Sequence, residues 1–321
     1  MVPRAPQPDT LGTRPATRIH AQPSTLFSGR FSQVGSQRSF LKEFSFVELN
    51  IQQIANFTLQ LAQQAGDLIR TERQQARFER NYKYGQELVT SVDIKADQLI
   101  RQAIEQRYPD HEILSEESSP NFQDLDKLRQ PLWIIDPIDG TINFAHNHHQ
   151  VAVSIAFAVN GEVQVGVVHC PFLGETFHAI RGQFSRLNGQ PIAVSGLEDF
   201  RHALLATGFP YDKATLATLI RRLEKVMGEC QDIRRIGSAA VDICWVAMGR
   251  LDGYYESVKP WDFAAAQLIA REAGARFGHL GAVPDGMPEE LHGTDILVAT
   301  PALYTTLHSL LKEADQGSDT D

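Results

Sequence analysis

The stretch Trp133-Ile134-Ile135-Asp136-Pro137-Ile138-Asp139-Gly140-Thr141 constrains this chain more than any other, because an apolar run there ends abruptly in two carboxylates, a glycine and a hydroxyl. Trp133, Ile134 and Ile135 favour a buried pleated surface, and Pro137 cannot donate to a ladder. A strand is therefore predicted that stops near Asp136 and delivers an acidic turn. Two carboxylates held this close repel unless a cation lies between them, and hard oxygen donors suit Mg²⁺ or Mn²⁺ rather than zinc. A surface Asp-Pro turn would give the same spacing, so the reading depends on what the other residues add.

The chain is 321 residues long, enough to bury one large core or two smaller ones. Cys170, Cys230 and Cys244 show no CxxC spacing and are odd in number, which suggests neither a disulfide framework nor a zinc knuckle and fits a reducing, cytoplasmic setting. The longest apolar segment, about Val151 to Val159 and interrupted by Ser154, falls far short of the roughly 20 residues a membrane-spanning helix needs. The net charge of −9 is uneven. Residues 1–40 hold five arginines against one acid, leaving 25 basic and 38 acidic residues beyond them, a balance of −13. So acidic a body argues against broad, sequence-independent nucleic-acid binding, which depends on neutralising phosphates.

Residues 1–45 are rich in Pro, Ser, Gln and Arg without periodicity and read as an unstructured extension. An organelle transit peptide would have the same makeup. From Phe46 to Phe78, Ile51, Ile54, Ala55, Leu59, Ala62, Ala65 and Ile69 recur at helical spacing. Leu88–Asp93 leads into a second helix ended by Tyr108-Pro109-Asp110, and Ile113-Leu114 reads as a short strand. Val151–Val159, Asn160-Gly161 and Val163–His169 form a predicted hairpin. With Glu175–Ile180, Gln183–Leu187 and Ile192–Val194 they make an antiparallel meander. From about Leu197 strands and helices alternate: Ala203–Thr207, Thr215–Glu229, Asp232–Ile236, Ser238–Met248, Gly253–Glu256, Asp262–Ala273, Ile296–Ala299 and a last helix from Pro301. The expected division is an extension over 1–45, an α+β half over 46–195 and an α/β half over 196–321.

Acidic residues stand at four predicted junctions: Asp93, Glu116-Glu117, Asp136 with Asp139, and Asp262. Singly, Asp93 and Asp262 would serve as helix N-caps and Glu116-Glu117 as a solvated pair. Jointly they repeat one chemistry at the ends of several apolar strands. A Walker loop, a GxGxxG after a strand, a GxSxG elbow and HExxH are all missing from the sequence, which leaves metal-assisted chemistry.

Ser115-Glu116-Glu117-Ser118, the central stretch, Gly237-Ser238-Ala239-Ala240 and Lys259-Pro260-Trp261-Asp262-Phe263-Ala264-Ala265-Ala266 together resemble the inositol monophosphatase family, over about residues 50 to 312. Ala206–Pro210 and Arg234–Ala240 are most similar to its bacterial members. The resemblance implies a layered αβαβα sandwich, usually a homodimer, and Mg²⁺-dependent, Li⁺-sensitive hydrolysis of a small-molecule phosphate ester. It implies that Glu116, Asp136 and the Ile138 carbonyl hold one ion and that Asp136, Asp139 and Asp262 hold a second, with a third near Glu116. Thr141 and Asp93 match the pair that orients and deprotonates the attacking water, and Glu117 supports Glu116. Asp139, Gly140, Thr141, Gly237, Ser238 and Ala239 would receive phosphate and substrate oxygens, and Arg234 and Glu256 would face sugar hydroxyls.

The sequence departs from the family pattern in three places. Gly140-Thr141-Ile142-Asn143 stands for the usual Gly-Thr-Thr-Asn, His146–Gln150 lacks the usual Pro and aromatic, and Glu256 is one residue closer to Asp262. His146, His148 and His149 invite a zinc reading but are expected at a loop or rim. The expected substrate is myo-inositol 1-phosphate; histidinol phosphate, fructose 1,6-bisphosphate and a 3′-phosphonucleotide are the alternatives. A second reading, suggested by relatives that work with the transcription machinery and RNA, is a regulatory protein using Arg221-Arg222 and Arg234-Arg235. An Asp-nucleophile phosphatase is disfavoured because it would call for Asp-x-Asp.

Overall fold

The computed structural model describes residues 50–75, 78–83, 87–120, 124–209 and 215–316. The expected extension over 1–45 and a helix start at Phe46 lie outside them. Helix α1 (Ile51–Gln75) buries Ile54, Ala55, Leu61, Ala62, Ala65 and Ile69 along one stripe. Strands β1 (Arg80–Lys83) and β2 (Glu87–Thr90) pair antiparallel, and Thr90 then caps α2 (Ser91–Arg107). Next come β3 (Glu112–Ser115), β4 (Leu132–Asp139), the short helix α3 (Thr141–Ala145), β5 (Ala152–Val159), β6 (Glu162–Cys170), β7 (Glu175–Ile180), β8 (Arg186–Leu187) and β9 (Gln190–Pro191). Their strands form a seven-stranded sheet in chain order, parallel only between β3 and β4.

The remaining elements alternate. They are β10 (Leu204–Thr207), α4 (Leu216–Met227), β11 (Asp232–Arg234), α5 (Ala239–Ala247), β12 (Gly253–Glu256), α6 (Pro260–Glu272), β13 (Arg276–His279), β14 (Ile296–Ala299) and α7 (Pro301–Gln316). The second sheet has the order β11-β10-β12-β14-β13, with β10 parallel to both its neighbours.

Side-chain alternation along the strands sorts these elements into five layers. Trp133, Ile135, Val153, Ile155 and Phe157 face α1 and α2, where they meet Ile54, Leu61, Val92 and Ile100. On the opposite face Leu132, Ile134, Ala156 and Val168 pack on α5 and α6, which also cover Ala206, Tyr254 and Val298 of the second sheet. Leu205, Tyr255, Leu297 and Ala299 point away again, onto Val226 of α4 and Leu303, Leu307 and Leu311 of α7. The result is the αβαβα sandwich. Among the described residues no helix is long and apolar enough to cross a membrane.

Three strand expectations need correction. β4 does not stop at Asp136 but continues through Pro137 to Asp139. Asp136 pairs with Ser154 and Asp139 with Ala152, so β4 carries one extra residue there. That bulge is where a residue without an N–H fits, and the Ile138 N–H turns to Asp136 Oδ1 at 2.9 Å. Gln183–Ser185 and Ile192–Val194 are not strands. The Asn188-Gly189 turn, both residues at positive φ, pairs Leu187 with Gln190 and Arg186 with Pro191 instead. Past Pro191 the chain leaves the ladder, and Val194 N donates to Ala273 O. β13, with a single large apolar residue in Arg-Phe-Gly-His, and α3 were not expected.

Candidate active site

Five chain segments converge where β4 ends. β4 supplies Asp136, Ile138 and Asp139, and all of its residues are buried. Gly140, at φ 92°, makes the left-handed step that lets α3 begin at Thr141. The N-terminus of α2 supplies Asp93, the C-terminal end of β3 Glu116, and the start of α6 Asp262. Asp93 and Asp262 cap their helices from the third position rather than as N-caps. Asp93 Oδ2 accepts the Thr90 N–H at 2.9 Å, and Asp262 Oδ2 accepts the Lys259 N–H at 2.7 Å. Pro260 opens α6, and Ser154 Oγ donates to the Trp261 carbonyl at 3.1 Å, which fixes the start of α6 against β5.

Asp136, Asp139 and Asp262 each place a carboxylate oxygen within 4.8 Å of the others. Burial pushes the Asp136 carboxyl well above the usual range, and the charges of Glu116, Asp139, Asp262 and Glu117 push it further. Asp262 is raised well above its ordinary value by burial and then by Asp139. Asp139 is raised to about 6 by burial, against the pull of Ser238 Oγ at 2.6 Å, Ala240 N at 2.7 Å and the Arg235 charge. Among the described residues no Lys or Arg forms an ion pair with any of the three. An all-oxygen set of mutually repelling carboxylates, Asp136 and Asp139 buried and Asp262 half-buried, fits a hard divalent cation such as Mg²⁺.

Beside this cluster Thr141 Oγ1 stands 2.9 Å from Asp93 Oδ1 and 3.1 Å from the Ile138 carbonyl, so its single proton faces two acceptors. Burial raises the Asp93 carboxyl, against the hydrogen bonds from Thr90 and Thr141. A cleft of about 120 Å³ opens over Asp139, Asp262, Gly140, Gly237, Ser238, Ala239 and Glu256, seven of the expected residues. Glu256 accepts the Tyr254 hydroxyl at 2.5 Å, and burial raises its carboxyl to about 7. It lies so close to Gly208 that a Cβ there would overlap the carboxylate.

Arg234 is not brought to the cleft. It is exposed and paired with Asp232 at 2.6 Å, while Arg235, Phe209, Gly208, Ile142 and Asp242 line the wall instead. Asp242 had a signal in the sequence, as the only acid in the otherwise apolar helix Ala-Ala-Val-Asp-Ile-Cys-Trp-Val-Ala. His146, His148 and His149 are exposed, and the only cluster of metal-ligating side chains among the described residues is the one around Asp136. Asn143 ties the loop to the far wall, its Nδ2 donating to the Gln150 and Ile236 carbonyls at 2.8 and 2.9 Å.

The sequence model of the inositol monophosphatase family matches residues 50–316. A Nus factor SuhB of Escherichia coli strain K12 is 41% identical over 222 residues, 68% of this chain and 82% of the relative. Inositol monophosphatase 1 of Solanum lycopersicum is 35% identical over 229 residues, 70% of this chain and 84% of the relative. A crystal structure of extragenic suppressor protein suhB from Bartonella henselae superposes with a TM-score of 0.74 at 31% identity, covering 81% of this chain and 99% of that one.

Proposed function

This chain belongs to the inositol monophosphatase family, and from that premise we propose that it is a Mg²⁺-dependent phosphatase whose preferred substrate is myo-inositol 1-phosphate. The observation that carries the reading is the set Asp136, Asp139 and Asp262, two buried and one half-buried, with no paired cation among the described residues, beside the Thr141–Asp93 hydrogen bond. Uncatalysed phosphate monoester hydrolysis is extremely slow, and a protein can do little covalent work on it beyond placing charge and an in-line water.

Glu116, Asp136 and the Ile138 carbonyl would hold one Mg²⁺, and Asp136, Asp139 and Asp262 a second. When bound, Mg²⁺ supplies an acidified attacking water and charge to stabilise the leaving alkoxide. Thr141 Oγ1, which donates to Asp93 Oδ1, would accept a hydrogen bond from the attacking water, and the proton that water gives up would pass to Asp93. Burial of Asp93 favours its protonated form and suits it to the role. Backbone N–H groups at Gly140, Thr141, Gly237 and Ser238 would receive the phosphate oxygens. Glu256 accepts from a sugar hydroxyl.

The test is phosphate release from myo-inositol 1-phosphate, histidinol phosphate, fructose 1,6-bisphosphate and a 3′-phosphoadenosine nucleotide, with and without Mg²⁺, using Asp136→Asn as control. Preference for the first supports the proposal, and dominance of another keeps the mechanism and changes the substrate. Equal inertness of wild type and variant ends the reading. Millimolar Li⁺ is expected to inhibit. The name Nus factor on the Escherichia coli relative supports a second reading, contact with transcription machinery. Its proposed basic surface is weakened by Arg222 pairing with Asp295 and Asp315 and by Arg234 pairing with Asp232. A pull-down from lysate that recovers no polymerase or antitermination factor would remove it.

A further inference from the structure

Arg235 differs from the arginines around it. Arg181 and Arg271 are held by Glu290, Arg222 by Asp295 and Asp315, Arg250 by Glu175, and Arg234 by Asp232. Arg235 lines the cleft and, among the described residues, makes no hydrogen bond or ion pair. Its charge nevertheless reaches Asp139, Asp242 and Glu256, drawing each carboxyl downward against burial. Gly237, at φ 90°, leaves room for Nη1 where a Cβ would overlap it, and the guanidinium carbon stands 5.6 Å from the centre of the Phe209 ring. Asp242, buried in the same wall, has an Oδ1 without a hydrogen-bond partner among the described residues. The guanidinium, on an exposed residue, thus shares the cleft wall with two carboxylates while its N–H groups, among the described residues, remain open to a ligand.

The charge balance of the wall decides what that ligand is. Asp139 and Asp262 belong to the metal cluster, which leaves Asp242 and Glu256 facing one guanidinium. A second phosphate or a carboxylate on the alcohol would meet more negative charge than positive. A neutral hydroxyl suits the site, since it accepts from the guanidinium and donates its own proton to Glu256. Phe209 and Ile142, both exposed at the mouth, offer apolar contact for the C–H face of a ring.

We propose that Arg235, positioned by the charges of Asp242 and Glu256, selects a neutral polyol as the alcohol half of the substrate, and that the same two carboxylates reject alcohols carrying a second anion. The inference rests on the phosphatase reading above. Its test compares kcat/KM for myo-inositol 1-phosphate, p-nitrophenyl phosphate and fructose 1,6-bisphosphate in the Mg²⁺-loaded enzyme and in Arg235→Gln, Arg235→Lys and Asp242→Asn. Melting temperature serves as the check on folding.

The ratio of inositol to p-nitrophenyl ester falls about tenfold in Arg235→Gln, chiefly through KM for the inositol ester, and less in Arg235→Lys. Asp242→Asn raises relative use of the bisphosphate. Equal losses on the inositol and p-nitrophenyl esters, an unchanged ratio, or a wild type that prefers the bisphosphate overturns the proposal. If Arg235→Gln fails to fold, Arg235→Lys and Asp242→Asn decide by the same ratios. A wild type inert on every ester, like Asp136→Asn, removes the phosphatase reading itself and is thereby told apart from failure of the selector.

Discussion

Glu290 and Asp136 are both buried carboxylates, and the chain treats them in opposite ways. Glu290 accepts the Val163 N–H at 2.7 Å and is flanked by Arg181 and Arg271. Burial pushes its carboxyl up, but the Arg181 and Val163 hydrogen bonds and the two guanidinium charges outweigh that and hold it below the usual range. Around Asp136, burial and four neighbouring acids all push the same way. A carboxylate that serves the fold has its cation built into the sequence. One that is buried among its own kind could hold a cation from outside, which is the contrast the proposed function rests on.

The strongest attempt to break this contrast is Asp136→Asn. Losing a metal ligand is expected to lower hydrolysis by roughly 10³-fold, since metal stabilisation of charge is worth several kcal/mol. The metal-free melting temperature should nevertheless hold or rise, because one repelling charge is gone; a clear fall would show that Asp136 is structural after all. Mg²⁺ at about a hundred times its dissociation constant should stabilise the wild type by about 2.7 kcal/mol. Calorimetry should find that gain missing in Asp136→Asn and reversed by chelator. Glu290→Gln is the converse case. It leaves Arg181 and Arg271 facing a neutral amide and should cost about 2 kcal/mol, less than a fully buried pair because both guanidiniums reach solvent. Denaturant unfolding reads that loss directly, and Mg²⁺ should stabilise this variant as much as the wild type.

What the sequence made legible follows the same division. β4 could be read because its residues are apolar until the acids begin, and the hairpin of β5 and β6 because Asn160-Gly161 adopts the two positive φ angles its turn needs. The αβαβα order came through resemblance and the alternation of elements. The bulge at Pro137 was hidden because it depends on register with β5, which no local pattern states. Arg235 was missed for a related reason. Both arginines at the end of β11 are exposed, and which of them lines the cleft depends on the path the chain takes from Arg234 to Gly237, which no local pattern states. The acidic run around Asp136 was visible as composition, but that no described arginine pairs with it is a property of three-dimensional neighbours.

The smallest expected effect sharpens the contrast through pH. Burial sets the Glu256 carboxyl at about 7, above the usual glutamate value. The folded chain therefore binds this proton more tightly than the unfolded one, and the stability it contributes is full below about pH 4.5 and fades as pH rises toward about 7. Asp139, raised to about 6, adds a similar loss ending lower. Metal-free wild type should thus lose unfolding free energy between pH 5 and 7, by at most about 1.4 kcal/mol per pH unit for each proton, read by denaturant unfolding. Glu256→Gln should flatten the upper part of that window, from about 6 to 7, and leave the lower part to Asp139. Glu290 has the opposite sign, since its lowered carboxyl contributes stability that is lost only as pH falls below the ordinary carboxylate range. Glu290→Gln should therefore reduce stability by the same amount at pH 5 and pH 7. A slope between 6 and 7 that changes in Glu290→Gln and not in Glu256→Gln would reverse the assignment of which buried acid the chain has neutralised and which it has left open.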